Sequence, residues 1–234
     1  MTEPYDVNFC FPVHELENEK LRLTPFIPSI HTDRWFEASR EFPEIWKHIP
    51  VGPFSKAEDF VNVLVTNRVQ PDPGDVLFIV LDKVRAKPGC PSDELPIAGL
   101  IGLLNTSIVE SITEVGLVFT LPPYQRSHVT SNSIGLLLTW CLDSPAEGGL
   151  GLQRVQWQCN QLNTASRRAA ERMGFKFEAI VRWQRVLPIG KEGHMVTRED
   201  KRKDNPGRHT VMLSLCWDGW EEAKEIVRKQ MNRT

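Results

Sequence analysis

Residues 121–133, LPPYQRSHVTSNS, put two prolines after an apolar run and open a helix-like one. The first N–H groups of a helix lack intrahelical partners and carry partial positive charge, so such a junction can seat a phosphate. This stretch holds no glycine, which usually lets the backbone come close to an anion. If the turn keeps helical φ and ψ it can do without one. Arg126 and a protonated His128 would then supply charge, and the Ser127 and Thr130 hydroxyls would add donors. The plain alternative is a helix start with Ser127 as N-cap and nothing bound. Asn163 and Ser166 sit three apart at another helix start and so share a face. Glu114 precedes Val115, Leu117 and Phe119, which would line one face of a strand and leave Glu114 on the other. Gly116, two residues on, fits a bulge that frees an N–H, or a glycine packed against a neighbour. Cys159 has no histidine near it in sequence and reads as a buried structural thiol. His14, His31, His48, His128, His194 and His209 show no metal-ligand spacing, so no metal is expected.

Seven strands must carry these groups: residues 20–26, 75–83, 97–105, 113–121, 154–160, 175–183 and 209–217, each apolar or alternating. Residues 31–49 have helical spacing broken at Pro43. Ser55, three before Glu58, reads as a capping box opening a helix to Val69. Ile134, Leu137, Leu138 and Cys141 mark a helix laid on a sheet. A shorter one ends at Gly174, and residues 218–231 form an amphipathic terminal helix. Residues 184–209 read as a long hydrophilic loop. The pattern is one mixed α/β domain with an antiparallel-rich sheet. A net charge of −2 on 234 residues gives no field for nucleic acid or anionic membrane. Five dispersed cysteines without a C-x-x-C pair point to reduced thiols. With neither a signal-peptide pattern nor an 18-residue apolar run, the cytoplasm or nucleus is the expected location.

TEVGLVFTLPPYQRSHVTSNSIGLLL, followed by LGLQRVQWQCNQLNTASRRAAERMGFKFEAIVR, resembles the GNAT acetyltransferase superfamily, in its RimJ/RimL-type branch. The second stretch carries the likeness through Asn160, Asn163-x-x-Ser166 and Met173-Gly174-Phe175-x-x-Glu178. The resemblance implies a single GNAT-like domain over 20–217, with a 1–19 extension and a 218–234 helix beside it. Its central sheet is expected to be mixed, mostly antiparallel, splayed, and flanked by helices. It also implies acetyl transfer from acetyl-CoA to an amine, either a small molecule or a protein N-terminus, with no metal, nucleic acid or membrane, in a monomer or homodimer. Backbone N–H groups at Leu117, Val118 and Phe119 would hold the pantetheine and the thioester oxygen. Gln125, Arg126, Ser127, His128, Val129 and Thr130 would hold the pyrophosphate, although His128 and Thr130 stand where the family pattern has small residues. Asn163 would touch the pantetheine. Ser166 would protonate the leaving sulfur, because the tyrosine many such enzymes use is Ala170 here.

Glu114 matches the position of a general base, its alternative being an edge carboxylate in water. A lysine-like amine with a pKa of about 10.4 needs that base more than an α-amine at about 7.7–8.0. In the 184–209 loop Lys191, Arg198, Lys201, Arg202, Lys203 and Arg208 outnumber Glu192, Glu199, Asp200 and Asp204. The loop is expected to be mobile and to suit an acceptor bearing carboxylates or phosphates, unless it is simply a solvated loop. A non-catalytic acyl-CoA-binding or interaction module is the competing function.

Overall fold

The computed structural model describes residues 5–197, 199 and 201–233. Eight strands form one sheet in the order β1-β2-β3-β4-β5-β6-β8-β7. They are β1 (Leu16–Glu17), β2 (Leu21–Pro25), β3 (Val76–Asp82), β4 (Ile97–Ser107), β5 (Ile112–Thr120), β6 (Arg154–Asn160), β7 (Lys176–Val186) and β8 (Gly207–Cys216). Among the described residues only β5 and β6 pair in parallel; the other neighbours are antiparallel. Every residue of β3 is buried, as its continuous apolar run requires with helices on both faces.

One face carries α3 (His128–Leu142), α4 (Thr164–Arg172) and α5 (Trp220–Asn232). Its core runs across both halves of the sheet, from Leu21 and Phe78 through Val115 to Val155, Trp157 and Leu213. The other face carries α1 (Pro28–Ser39) and α2 (Ala57–Phe60), which runs on as a wider π-helical coil over Val61–Val69. Its core joins Trp35, Phe60 and Leu64 to Ile79, Leu104 and Phe119, and takes no residue from β6, β7 or β8. The floor beyond β5 is therefore left to the polar positions Gln156, Gln158 and Asn160. No helix among the described residues is long and apolar enough to cross a membrane.

Three local expectations change. The α2 N-cap is Lys56, with no side-chain cap, so Ser55 and Glu58 form no capping box. Residues Val115 and Leu117 do not share a face: Val115 packs in the first core, Leu117 and Phe119 in the second. The cause is a bulge, since β4 advances from Leu100 to Gly102 while β5 goes from Phe119 to Gly116. The strained residue there is Leu117, at φ 49°, rather than Gly116. Finally, β7 extends to Val186 and β8 starts at Gly207, so the connecting loop is only residues 187–206. Its first half is tied down. Lys191 Nζ donates to the carbonyls of Trp46 (2.7 Å) and Val51 (3.0 Å), and Glu192 pairs with Lys47 at 2.8 Å. Lys191 and Arg208 are thus not free loop charges; Arg198 and Asp200 lie outside the described residues.

Candidate active site

The β5–β6 ladder is short. Ile112, Thr113 and Glu114 pair with Arg154, Val155 and Gln156, and there the two strands part. From Val115 onward β5 keeps β4 on one side and has no strand on the other, which leaves a slot lined by unpaired backbone. Glu114 sits at the apex of this slot, facing α1 and α2, and is 5% exposed. Gln158 Nε2 (2.8 Å) and Asn105 Nδ2 (3.1 Å) both donate to its Oε2. Asn105 reaches it from a left-handed backbone (φ 51°) at a second β4 bulge, its own N–H held by Asp75 Oδ1 at 2.8 Å. Burial raises the Glu114 pKa to about 7, against the pull of Arg185, Arg208, the Asn105 hydrogen bond and Arg68. A carboxyl poised there exchanges a proton readily at neutral pH.

The turn before α3 is closed upon itself. Arg126 is left-handed (φ 58°), not helical as expected, and this residue takes the bend that glycine would otherwise make. Ser127 caps α3: its hydroxyl donates to the Tyr124 carbonyl and accepts weakly from Val129 N–H at 3.4 Å. Thr130 and Thr120 share a hydroxyl hydrogen bond at 2.9 Å, and Gln125 Nε2 donates to the Thr120 carbonyl. His128 Nε2 lies 3.1 Å from Oδ1 of the fully buried Asp82. The side chains of Ser127, His128 and Thr130 are thus bonded internally, and Val129 is in the core. What the turn offers an anion is backbone N–H from the first turn of α3, with the exposed Arg126 beside it. Arg85 flanks the same turn, 4.5 Å over the Tyr124 ring and donating to Pro123 O.

On the α3 side of the sheet, opposite Glu114, Asn163 caps α4, its Oδ1 accepting Ser166 N–H at 3.1 Å. Ser166 Oγ accepts the Trp157 indole N–H at 3.0 Å, and its hydroxyl also meets the Cys159 sulfur. Trp157 belongs to the α3–α4–α5 core, so Ser166 and Glu114 stand on opposite faces of the sheet with the slot between them. Cys159 is buried, and burial raises its pKa, so its thiol stays protonated.

A family model described as "Acetyltransferase (GNAT) domain" matches residues 20–176, well over half of the chain. The chain belongs to the GNAT acetyltransferase family. No curated protein is similar enough in sequence to match. Among solved structures, a GCN5-related N-acetyltransferase from Brucella melitensis is 24% identical, at a TM-score of 0.73, over 93% of this chain and 85% of that one. A "probable acetyltransferase (GNAT family)" from Chromobacterium violaceum is also 24% identical, at 0.72, over 94% and 95%. The microcin C7 self-immunity acetyltransferase MccE, solved with acetyl-CoA and AMP, is 13% identical, at 0.63, over 85% and 93%. At these identities the likeness is one of fold.

Within this GNAT fold, Asn105, Gln158, Arg68 and Arg185 join Glu114 without having been marked in the sequence, and Arg208, expected as a loop charge, joins it from β8. Gln158 had a signal, because it alternates with the buried Val155, Trp157 and Cys159 on a strand that would otherwise be apolar. Arg208 had none. It opens β8, which lies beyond β6 from Glu114 in the sheet, and only the strand order shows that they meet.

Proposed function

We propose that this protein is an acetyl-CoA-dependent N-acetyltransferase of RimJ/RimL type, which moves the acetyl group to a primary amine by direct attack. The observation that carries the reading is Glu114, a buried carboxyl with a pKa of about 7 at the apex of the slot. Acetyl-CoA is the donor substrate, and the unpaired β5 edge fits an extended pantetheine arm. The thioester supplies an activated acetyl carbonyl. Glu114 takes the proton that the ammonium form of the acceptor must lose. The freed amine approaches from the α1–α2 face, and its nitrogen bonds the carbonyl carbon as the C–S bond breaks; the second proton that this nitrogen then sheds passes through water and balances the one taken up by the sulfur. Backbone N–H groups of Leu117, Val118 and Phe119 on the open edge of β5 steady the charge that develops on the carbonyl oxygen. Ser166, on the far face, supplies a proton to the departing sulfur directly or through water; with a thiol pKa of about 8.5 the thiolate needs little help. Asn163 keeps α4 and Ser166 in position. The α3 N-terminus and Arg126 take the pyrophosphate. Binding of acetyl-CoA by the similarly folded MccE supports this use of the slot.

One observation favours a non-catalytic acyl-CoA-binding module instead: the turn before α3 spends its hydroxyls and His128 on internal bonds. Thiol release from acetyl-CoA with a panel of amines, run beside calorimetric CoA binding, separates the two. Turnover on any amine supports the enzyme. Binding without turnover on every amine supports the module.

A further inference from the structure

Arg208 is 7% exposed, and its Nε is buried with no hydrogen-bond partner. Among the described residues no carboxylate lies within ion-pair distance of its guanidinium. Across the ladder its partner is Arg185, and like charges directly opposite on a sheet repel. A third cation, Arg68 of the helix above, acts on both Arg208 and Glu114. The acid that faces this group is Glu114, already accepting from Asn105 and Gln158. A buried cation is normally matched by a hydrogen-bonded anion, and one left bare is strongly destabilising. The imbalance worsens in the reaction. Once Glu114 takes a proton it becomes neutral, and three arginines face an uncharged floor.

The same floor also lacks donors. Gln158 Oε1 and Thr210 Oγ1 are buried without partners, and Thr210 pairs with Asn160, two residues along from Gln158. The site therefore presents unsatisfied acceptors beside Glu114, suited to an amine, and an unsatisfied guanidinium beyond them, suited to an anion.

We infer that the acceptor is an amine that itself carries a carboxylate or phosphate, which Arg208 receives, with Arg185 and Arg68 at its rim, while Glu114 receives the amine's proton. This rests on the transferase reading above and names its substrate class. A bare polyamine is repelled by the same cluster. The chemistry is shared by an acidic peptide N-terminus and a phosphorylated small amine, and the test separates them.

The experiment measures thiol release from acetyl-CoA with paired acceptors that differ in one charge: Ser-Asp against Ser-Asn, both as C-terminal amides, and phosphoserine amide against serine amide. Rates are expressed per unprotonated amine. The anionic member of at least one pair is expected to have a kcat/KM about tenfold or more above its neutral partner, as a charge-assisted hydrogen bond gives. The pair with the larger ratio identifies the source. Arg208→Gln should bring that ratio to within about twofold, the fall being carried by KM of the anionic member. Arg208→Lys, which keeps the charge, should restore part of it. Equal rates for both members of both pairs, or spermidine as the best acceptor, overturns the inference. So does an Arg208→Gln variant that keeps the ratio. If no amine is acetylated while acetyl-CoA binds, the transferase reading fails by itself. Calorimetry of the intact protein with the same pairs then decides the anion site: preference for the anionic member upholds it, and equal or absent binding overturns it. Folding of the variants is checked by melting temperature. Arg208→Gln should melt no lower than the parent, and a marked drop would make Arg208 a structural partner of Glu114 instead.

Discussion

Replacing Glu114 by Gln should make the protein more stable above neutral pH while disabling it. An ordinary glutamate in the unfolded chain has a pKa of about 4.3, whereas burial raises the folded value to about 7. The folded state therefore holds the proton more tightly. Relative to the protonated form, its stability is intact below about pH 4.3 and is lost as pH rises through 7. A gap of about 2.7 units corresponds to somewhat more than about 3 kcal/mol at pH 8, with little discount for solvent because the residue is 5% exposed. Gln keeps the shape and removes the ionisation, and its side-chain carbonyl can still accept from Gln158. Urea denaturation of both proteins should thus give nearly equal stabilities at pH 4 and a gap of somewhat more than about 3 kcal/mol in favour of the variant at pH 8. In the amine assay, parent kcat/KM should rise with pH through an inflection near 7. The variant should lose that inflection, fall about a hundredfold or more at pH 7, and recover partly where the amine deprotonates unaided. Acetyl-CoA affinity should stay near normal. A variant no more stable than the parent at pH 8 would refute the buried-carboxyl argument, and one as active at pH 7 would remove Glu114 from the mechanism.

His128→Ala leaves the buried Asp82 with one partner fewer and should cost roughly 1–3 kcal/mol of stability by urea titration, with CoA affinity the lesser effect. A fall in CoA affinity without loss of stability would return His128 to the phosphate site. Ser166→Ala should lower kcat by less than about tenfold, because the thiolate leaves largely unaided; a larger loss would make Ser166 indispensable as an acid. Lys191→Ala cuts both ties to the Trp46 and Val51 carbonyls and should speed proteolytic nicking within residues 187–206 while raising KM for the amine. Unchanged nicking would show that the latch carries no weight.

The groups that could be read directly were polar residues breaking an apolar period. Glu114 interrupts a strand, and Asn163 and Ser166 open a helix, so each declares its element and its side. Gly116 marks the near end of the β5 bulge as its glycine suggests, but it is Leu117 that takes the left-handed φ inside it, held there by the β4 register, which no sequence pattern announces. The latch was invisible for another reason. Lys191 binds backbone carbonyls, which every residue has, so no sequence pattern marks the receiving segment. The arginine cluster draws on a helix end and two strands more than a hundred residues further on, and only the strand order β5-β6-β8-β7 gathers it.

The short ladder between β5 and β6 also decides how the molecule can flex. Three residue pairs join the two halves of the sheet, and what otherwise binds them is the core beneath α3, α4 and α5. The second core ends at β5 and does not restrain β6, β7 or β8. The halves are therefore linked like scissor blades with the pivot on the α3–α4–α5 side. Any small rotation opens the blades toward Glu114 and the arginines. The restraint across that open side comes from the Gln158–Glu114 hydrogen bond and from Lys191, Glu192 and their partners, a handful of polar bonds in place of a packed core.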